Sequence, residues 1–326
     1  MKVLFVFSGK SFLNSPIILK QGESLTSSSV NVSYYPINNS GLFGYLKHIV
    51  LLRVFLKKNK LEIVHAHYGL CGIVALMASR REKVVVSFMG DDLLGSNRFD
   101  GKQTIGSKFL VKLNLFFSQR FYDYSIVKSS QMLGEFKNPV RISLCPNGVN
   151  LTVFYHVEKT LANQKAGFPS ANINIIFVSD PSRAEKNYSL AQKAIDLLND
   201  KSLILHTIYN IANQDLKYFY SASDLLIMTS FHEGSPNVIK EAMACNCPIV
   251  TTNVGDVKEV IGDTEGCYIS SFDPIDVVEK VKLALKFSKE HGQTKGRERI
   301  IKLGLDSETI ARKIIEVYNK VLKITD

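Results

Sequence analysis

The chain has 326 residues, 45% of them hydrophobic and 21% charged, which leaves apolar material for two cores and no compositional case for disorder. No apolar run approaches the roughly 18 residues that a membrane-crossing helix needs. The formal net charge of +10 sits in one half: residues 1–150 carry +11 and residues 151–326 carry −1, so the first half should attract something anionic.

Lys2–Phe7 reads as a buried strand. Its apolar stretch stops at Ser8, Gly9 and Lys10, too short for a secretory signal. Ser8-Gly9-Lys10-Ser11 looks like the end of a phosphate loop, but the glycine required five residues earlier is Leu4. That leaves a polar loop, in which the Gly9 amide is kept as a ligand contact. Gln21–Ser28 follows as a short polar helix, Val30–Tyr35 as a strand, and Leu46–Lys58 as a helix with interleaved apolar and basic residues. Leu61–His65 is a strand, Gly72–Ser79 a helix, and Lys83–Phe88 a β-rich run. Phe109–Phe121 is a helix, and Tyr124–Val127 and Arg141–Cys145 are strands.

The second half repeats the logic. Ile173–Phe177, Leu203–Thr207, Leu225–Met228 and Pro248–Thr251 are strands, separated by helices at Ser189–Leu198, Leu216–Ser223 and Asn237–Met243. Lys258–Val260, Gly266–Ser270 and helices near 275–289 and 308–323 complete the chain. Short β-branched runs alternating with helices imply an α/β fold of parallel βα units. The polar stretch 150–172 lacks periodicity, so the expected domains are 1–155 and 165–307. A closing helix, 308–326, is expected to pack as core or cross back to the first domain. Two such domains should face each other across a cleft at the carboxyl ends of their sheets, where open α/β sheets bind ligands.

The five cysteines are scattered and odd in number, which suits reduced core residues in the cytoplasm. Asp91-Asp92 has no His, Cys or third acid nearby, and His65-Ala-His67 lacks a third ligand in evident spacing. No metal is expected. The histidines read as structural or cleft-lining, with a direct substrate role for His67 kept open. The charge would suit nucleic acid, but no recognisable module accompanies it, and no nucleic-acid partner is expected.

The chemistry concentrates in residues 225–256. An apolar strand ends at Thr229-Ser230, a loop runs Phe231-His232-Glu233-Gly234-Ser235-Pro236, and a helix begins at Pro236 or Asn237, with proline suited to a first turn. Free amides at that start suit a phosphate. Glu233 and Glu241 would accept hydrogen bonds from sugar and ribose hydroxyls. The plain alternative is a helix cap and a surface acid. Arg183 and Lys186 follow another strand and offer a fork and a point charge to a diphosphate, or else are solvated loop charges.

These residues resemble glycosyltransferase family 4, the retaining family with the two-Rossmann GT-B fold. Its stretch S-x-x-E-G-x-P-x-x-x-x-E-A-M-A-x-x-x-P-V-V is matched by Ser230, Glu233, Gly234, Pro236, Glu241-Ala-Met-Ala244 and Pro248-Ile-Val250. Pro146-Asn-Gly-Val149, Lys186-Asn187 and Gly255-Asp256-x-x-Glu259 match further. Gln21-Gly-Glu-Ser-Leu25, His65-Ala-His-Tyr-Gly69 and Ser87-Phe-Met-Gly-Asp91 are moderate matches in the first half.

The resemblance implies a retaining hexosyl transfer from a nucleoside-diphosphate sugar to a glycan or lipid-linked acceptor in cell-surface polysaccharide assembly, without cofactor or metal. Glu233 would hold donor-sugar hydroxyls and Glu241 the ribose. Ser235, Pro236, Asn237 and Val238 would lie near the sugar ring and diphosphate. Arg183 and Lys186 would stabilise the leaving group. Where many relatives have a histidine, Phe88-Met89-Gly90 has Met89. His67 or Asp91 would then supply polar contacts in its place. The usual Gly-Arg of the basic loop is replaced by Ser179-Asp180. These departures keep two other readings open: an inactive sugar-nucleotide-binding or scaffold protein of the same fold, and a sugar-nucleotide isomerase of similar architecture. The basic, apolar-rich stretches 42–58 and 103–120 suit peripheral contact with an anionic cytoplasmic leaflet, or else pack on the sheet and expose their lysines.

Overall fold

The computed structural model describes residues 1–9, 17–38, 41–95 and 104–323. Lys10 and Ser11 of the phosphate-loop look-alike, and Gln103 of the second basic stretch, lie outside them. The chain divides into two compact units, cut after Asn147 and again after Asp306, so that Ser307 onward belongs with the N-terminal unit. The division falls before the polar stretch around residue 160. That stretch carries a helix of its own, Lys159–Ala166, capped by Glu158 and packed on helix Leu216–Ala222 in the second unit.

The first unit is built on six strands: β1 (Lys2–Ser8), β2 (Asn31–Ile37), β3 (Ile63–His67), β4 (Lys83–Ser87), β5 (Tyr124–Val127) and β6 (Ile142–Leu144). They run in the order β2-β1-β3-β4-β5-β6, and every pairing is parallel. Continuous apolar runs such as Val3–Phe7 are buried because helices cover both faces of a parallel sheet. On one face Leu4, Val6, Val64, Ala66, Val84 and Val86 form a core with Leu52, Leu56, Val74 and Ala75 from the covering helices. The helix Ser307–Lys323 packs against Ile17–Ser27 and β4, and buries a helical stripe from Ile310 to Val321.

The second unit has five strands: β7 (Ile173–Phe177), β8 (Leu203–Thr207), β9 (Leu225–Met228), β10 (Ile249–Thr252) and β11 (Cys267–Ser270). Their order is β11-β10-β9-β7-β8, again all parallel. Both sheets are therefore Rossmann-like, as expected.

Strand order also locates the ligand ends. From β7 the chain steps to β8 on one side and then to β9 on the other. The loops after β7 and β9 thus diverge and leave a crevice at the carboxyl ends of those strands. In the first unit the same switch lies between β1 and β3, which end at Ser8 and His67 and are followed by Gly9 and Tyr68.

Candidate functional site

The loop after β7 closes in a short helical turn, Ala184–Lys186, and Asn187 takes a left-handed φ of 53° to start helix Tyr188–Leu198. The loop after β9 is stapled to it. The Thr229 hydroxyl donates to the Asn187 carbonyl at 2.8 Å, and the Phe231 amide donates to the Glu185 carbonyl at 2.9 Å. These bonds bring the two expected groups together: Lys186 Nζ forms an ion pair with Glu233 Oε1. Ser230 donates to the same oxygen at 2.9 Å. The pair is mostly but not fully screened from solvent. Lys186 and Ser230 border a small pocket of about 10 Å³, the space of a single water, lined also by Ser179, Met228 and Val238. Arg183 points elsewhere. Its half-exposed guanidinium pairs with Glu185 at 2.6 Å.

Helix Asn237–Ala244 follows Pro236, and no side chain caps its first amides. Uncapped first-turn amides carry partial positive charge and suit an anion. Ser235, just before the helix, is buried and donates to Asp256 Oδ2 at 2.7 Å. Lys240, one turn into the helix, is buried as well. It pairs with the same Asp256 oxygen at 2.8 Å and hydrogen-bonds the Ser235 hydroxyl. Gly255 sits beside this network with φ of 59°, and a Cβ there would lie 2.7 Å from the Gly234 carbonyl oxygen. Only glycine lets the loop after β10 press on the Glu233–Gly234 backbone. Glu241 has different partners. Its buried carboxylate accepts from the Tyr220 hydroxyl at 2.9 Å and from the Asn213 amide at 3.4 Å. Burial, and then Glu241 itself, push the Tyr220 hydroxyl well above its ordinary pKa, so it stays a donor.

In the first unit, His65 and His67 point to the same side of β3, as strand alternation requires. His65 is held at both ring nitrogens, by Tyr318 at 2.6 Å and by Ser87 at 2.8 Å. His67 stacks on His65 and is buried, with neither ring nitrogen bonded. Burial and the nearby Lys128 hold its pKa down to about 3, so it is neutral. Of the two adjacent acids, Asp91 is exposed and Asp92 is buried. Asp92 is the organising one: it accepts from the amides of Gly69 at 3.0 Å, Met89 at 2.9 Å and Gly90 at 3.0 Å. Tyr68, directly after His67, adopts φ of 88°, a conformation that non-glycine residues rarely hold without compensation. A Cβ on Gly9 would strike the side chain of Asn38 at 2.3 Å, so close packing already demands glycine there. Among the described residues, no three His, Cys, Asp or Glu side chains are grouped to hold a metal ion.

Residues 147–286 match the family model described as glycosyl transferases group 1, and residues 17–125 match that of glycosyl transferase 4-like proteins. The chain is a GT-B glycosyltransferase of the family 4 type. This glycosyltransferase is 23% identical to the N-acetyl-alpha-D-glucosaminyl L-malate synthase of Bacillus anthracis, over 99% of its own length and 90% of that protein. It is 22% identical to the UDP-Gal:alpha-D-GlcNAc-diphosphoundecaprenol alpha-1,3-galactosyltransferase of Escherichia coli, over 80% of its length and 76% of that protein. Its fold matches the structure of Anabaena Alr3699/HepE in complex with UDP-glucose with a TM-score of 0.71 at 15% identity, covering 98% of this chain and 100% of that one.

Within the glycosyltransferase, the structure joins Lys186 to Glu233 and places Ser235, Pro236, Asn237 and Val238 at the start of the helix that carries Glu241. It separates Arg183, which is occupied by Glu185. Lys240 escaped the sequence reading. A lysine in a helix next to a glutamate reads as a surface charge, and its partner Asp256 is 16 residues away. In the sequence Ser230 stands only as a motif position, and Tyr68 carries no local signal of its backbone conformation.

Proposed function

We propose that this glycosyltransferase moves a sugar, with retention of anomeric configuration, from a nucleoside-diphosphate sugar to a glycan or lipid-linked acceptor in cell-surface polysaccharide assembly. The observation that carries the proposal is the Lys186–Glu233–Ser230 cluster at the carboxyl ends of β7 and β9, beside a helix start with uncapped amides. A carboxylate that already accepts from an ammonium and a hydroxyl can accept further from sugar hydroxyls. The diphosphate would lie against the first amides of helix Asn237–Ala244, within reach of Lys186. Glu241, with its orientation fixed by Tyr220, would accept from the ribose hydroxyls.

Negative charge grows on the diphosphate as the bond to the anomeric carbon breaks. Lys186 and the helix amides are fixed beforehand, so they stabilise that charge without rearranging. Arg183 would need to leave Glu185 before it could join them. Glu233 and Glu241 serve in this scheme as hydroxyl grips, not as an acid–base pair. His67, being neutral and unbonded, would offer a hydrogen bond to substrate, and Asp92 would hold the Met89–Gly90 loop. The acceptor would bind the basic first unit. The names of relatives support this choice of substrates. The Escherichia coli relative is named for UDP-Gal and a diphosphoundecaprenol acceptor, and the Anabaena structure contains UDP-glucose.

The test is to incubate the protein with uridine- and guanosine-diphosphate sugars and follow release of nucleoside diphosphate. Slow hydrolysis of one donor class, lost in Glu233→Gln, is expected. Absence of binding and turnover with every donor, or isomerisation of the sugar, would contradict the proposal.

A further inference from the structure

Three chain segments at the site meet at one buried carboxylate oxygen. Asp256 Oδ2 accepts from the Ser235 hydroxyl at 2.7 Å and from Lys240 Nζ at 2.8 Å, and Lys240 also bonds the Ser235 hydroxyl. Ser235 lies on the loop after β9, Lys240 in helix Asn237–Ala244, and Asp256 at the end of the loop after β10. The three residues are 7%, 1% and 4% exposed, so their side chains bond one another and not solvent. Asp256 Oδ1 has no hydrogen-bond partner. Both donors thus converge on a single oxygen, which draws the three segments to one point.

Stability is a weak reason for such a pair. Two charges taken out of water lose their hydration, and apolar side chains of similar volume fill the same space without that loss. The geometry is a better reason. The loop Phe231–Pro236 has no regular structure of its own and is pinned at alternate residues. The Phe231 amide donates to the Glu185 carbonyl, Glu233 pairs with Lys186, and Ser235 is held by Asp256 and Lys240. Behind the loop, the Thr252 hydroxyl donates to the Ser230 carbonyl at 2.7 Å, and Gly255 leaves no room for a Cβ against the Gly234 carbonyl oxygen. The first two pins locate the Glu233 carboxylate. The third locates the start of the helix relative to it.

We infer that Lys240 and Asp256 are positioning residues for the transfer: by locking Ser235 they fix the first amides of helix Asn237–Ala244 at a set distance from the Glu233 carboxylate. On the donor reading proposed for this enzyme, on which this rests, those amides meet the diphosphate and Glu233 meets the sugar. A sugar nucleotide spans both, so the two must keep one separation while the bond from sugar to phosphate breaks. Amides placed beforehand meet the growing charge without moving. A helix start released from Asp256 still follows a bound diphosphate, but it must reorganise in the transition state. The cost then falls on kcat and not on donor binding.

The wild type is to be compared with the double variant Lys240→Met, Asp256→Asn, in which both charges leave together and neither is stranded. The double variant should unfold in urea close to the wild type, with a donor KM within about three-fold and a kcat lowered by about ten-fold or more. A stable variant with wild-type kcat would overturn the inference, because the pair would then serve packing alone. So would a raised KM at unchanged kcat. Should the double variant fail to fold, Ser235→Ala keeps the ion pair and removes its hold on the loop. The same loss of kcat at unchanged KM is expected there, and a wild-type kcat would overturn the inference. Hydrogen exchange in the unliganded protein reads the same segment without turnover. Exchange over residues 231–241 should speed about ten-fold or more in the double variant while β7 and β9 keep their protection. Unchanged exchange would overturn the inference. Faster exchange in a protein that turns over no donor would support the positioning and count against the proposed transfer alone.

Discussion

At the residue scale, the site rests on charges whose partners are close and specific. Lys240 and Asp256 form a buried ion pair at 2.8 Å, and Asp256 Oδ1 has no hydrogen-bond partner. Removing one member leaves a buried charge uncompensated, so Lys240→Met or Asp256→Asn should destabilise the second unit by about 3–5 kcal/mol. The double variant should recover much of that loss. Urea unfolding of the two single variants and the double variant checks it, and additive losses would contradict it. Glu241 is a different case. If it grips the ribose equally before and during transfer, Glu241→Gln should raise the donor KM by about ten-fold with little change in kcat. Steady-state kinetics separate this from Glu233→Gln, which should lower kcat by about 100-fold.

At the element scale, the two loops after β7 and β9 act as one body because backbone and hydroxyl bonds staple them, and the loop after β10 presses on the second of them at Glu233–Gly234. Gly255→Ala combines a left-handed φ with a contact of 2.7 Å to a carbonyl oxygen, so the loop must move. We expect a loss of about 1–3 kcal/mol together with weaker donor binding. Differential scanning calorimetry and donor titration measure the two effects, and loss of one without the other would contradict the coupling. Much of this was legible in the sequence. Ile173–Phe177, Leu203–Thr207 and Leu225–Met228 stand where the sequence puts them, because buried parallel strands are short apolar runs between polar breaks. Glu233 and Lys186 were recognised from their positions after such strands. Three of the short helices are not legible, although Leu216–Ala222 and Asn237–Ala244, equally short, are. Ser130–Gly134, Lys159–Ala166 and Gly296–Leu303 are a turn or two long, and helical periodicity cannot declare itself over so few residues. The Lys240–Asp256 pair and the positive φ of Tyr68 are products of tertiary packing and leave no trace in local pattern. That Asp92 is buried and Asp91 exposed leaves no local trace, since adjacent acids at a helix start look alike until the fold turns one inward.

At the scale of the whole molecule, the parallel sheets bury charge-bearing groups that set a pH response. His67 has its pKa lowered to about 3, mainly by burial, and burial likewise lowers that of His65. Both ionise near 6.5 when unfolded. The folded form therefore binds fewer protons, and their contribution is present above about pH 6.5 and is lost as pH falls toward 3. Asp92 opposes this. Burial raises its pKa to about 6, so its contribution is present below about pH 4 and is lost as pH rises through 6. Two histidines outweigh one carboxyl, at about 1.4 kcal/mol per pH unit for each group. The first unit should thus weaken steadily below about pH 6. Unfolding followed between about pH 7 and pH 5 should show the decline, and His67→Gln should flatten it. A profile identical in the variant would contradict the assignment.

Glu233, held by Lys186 and Ser230, is proposed to grip the donor sugar. Calorimetric titration of the wild type and Glu233→Gln with a nucleoside-diphosphate sugar and with the matching nucleoside diphosphate tests it most directly. The substitution should weaken the sugar nucleotide at least ten-fold while the free diphosphate keeps its affinity within about two-fold, since hydrogen bonds to a charged group contribute roughly 1.5–3 kcal/mol. Equal weakening of both ligands, or of neither, would contradict it.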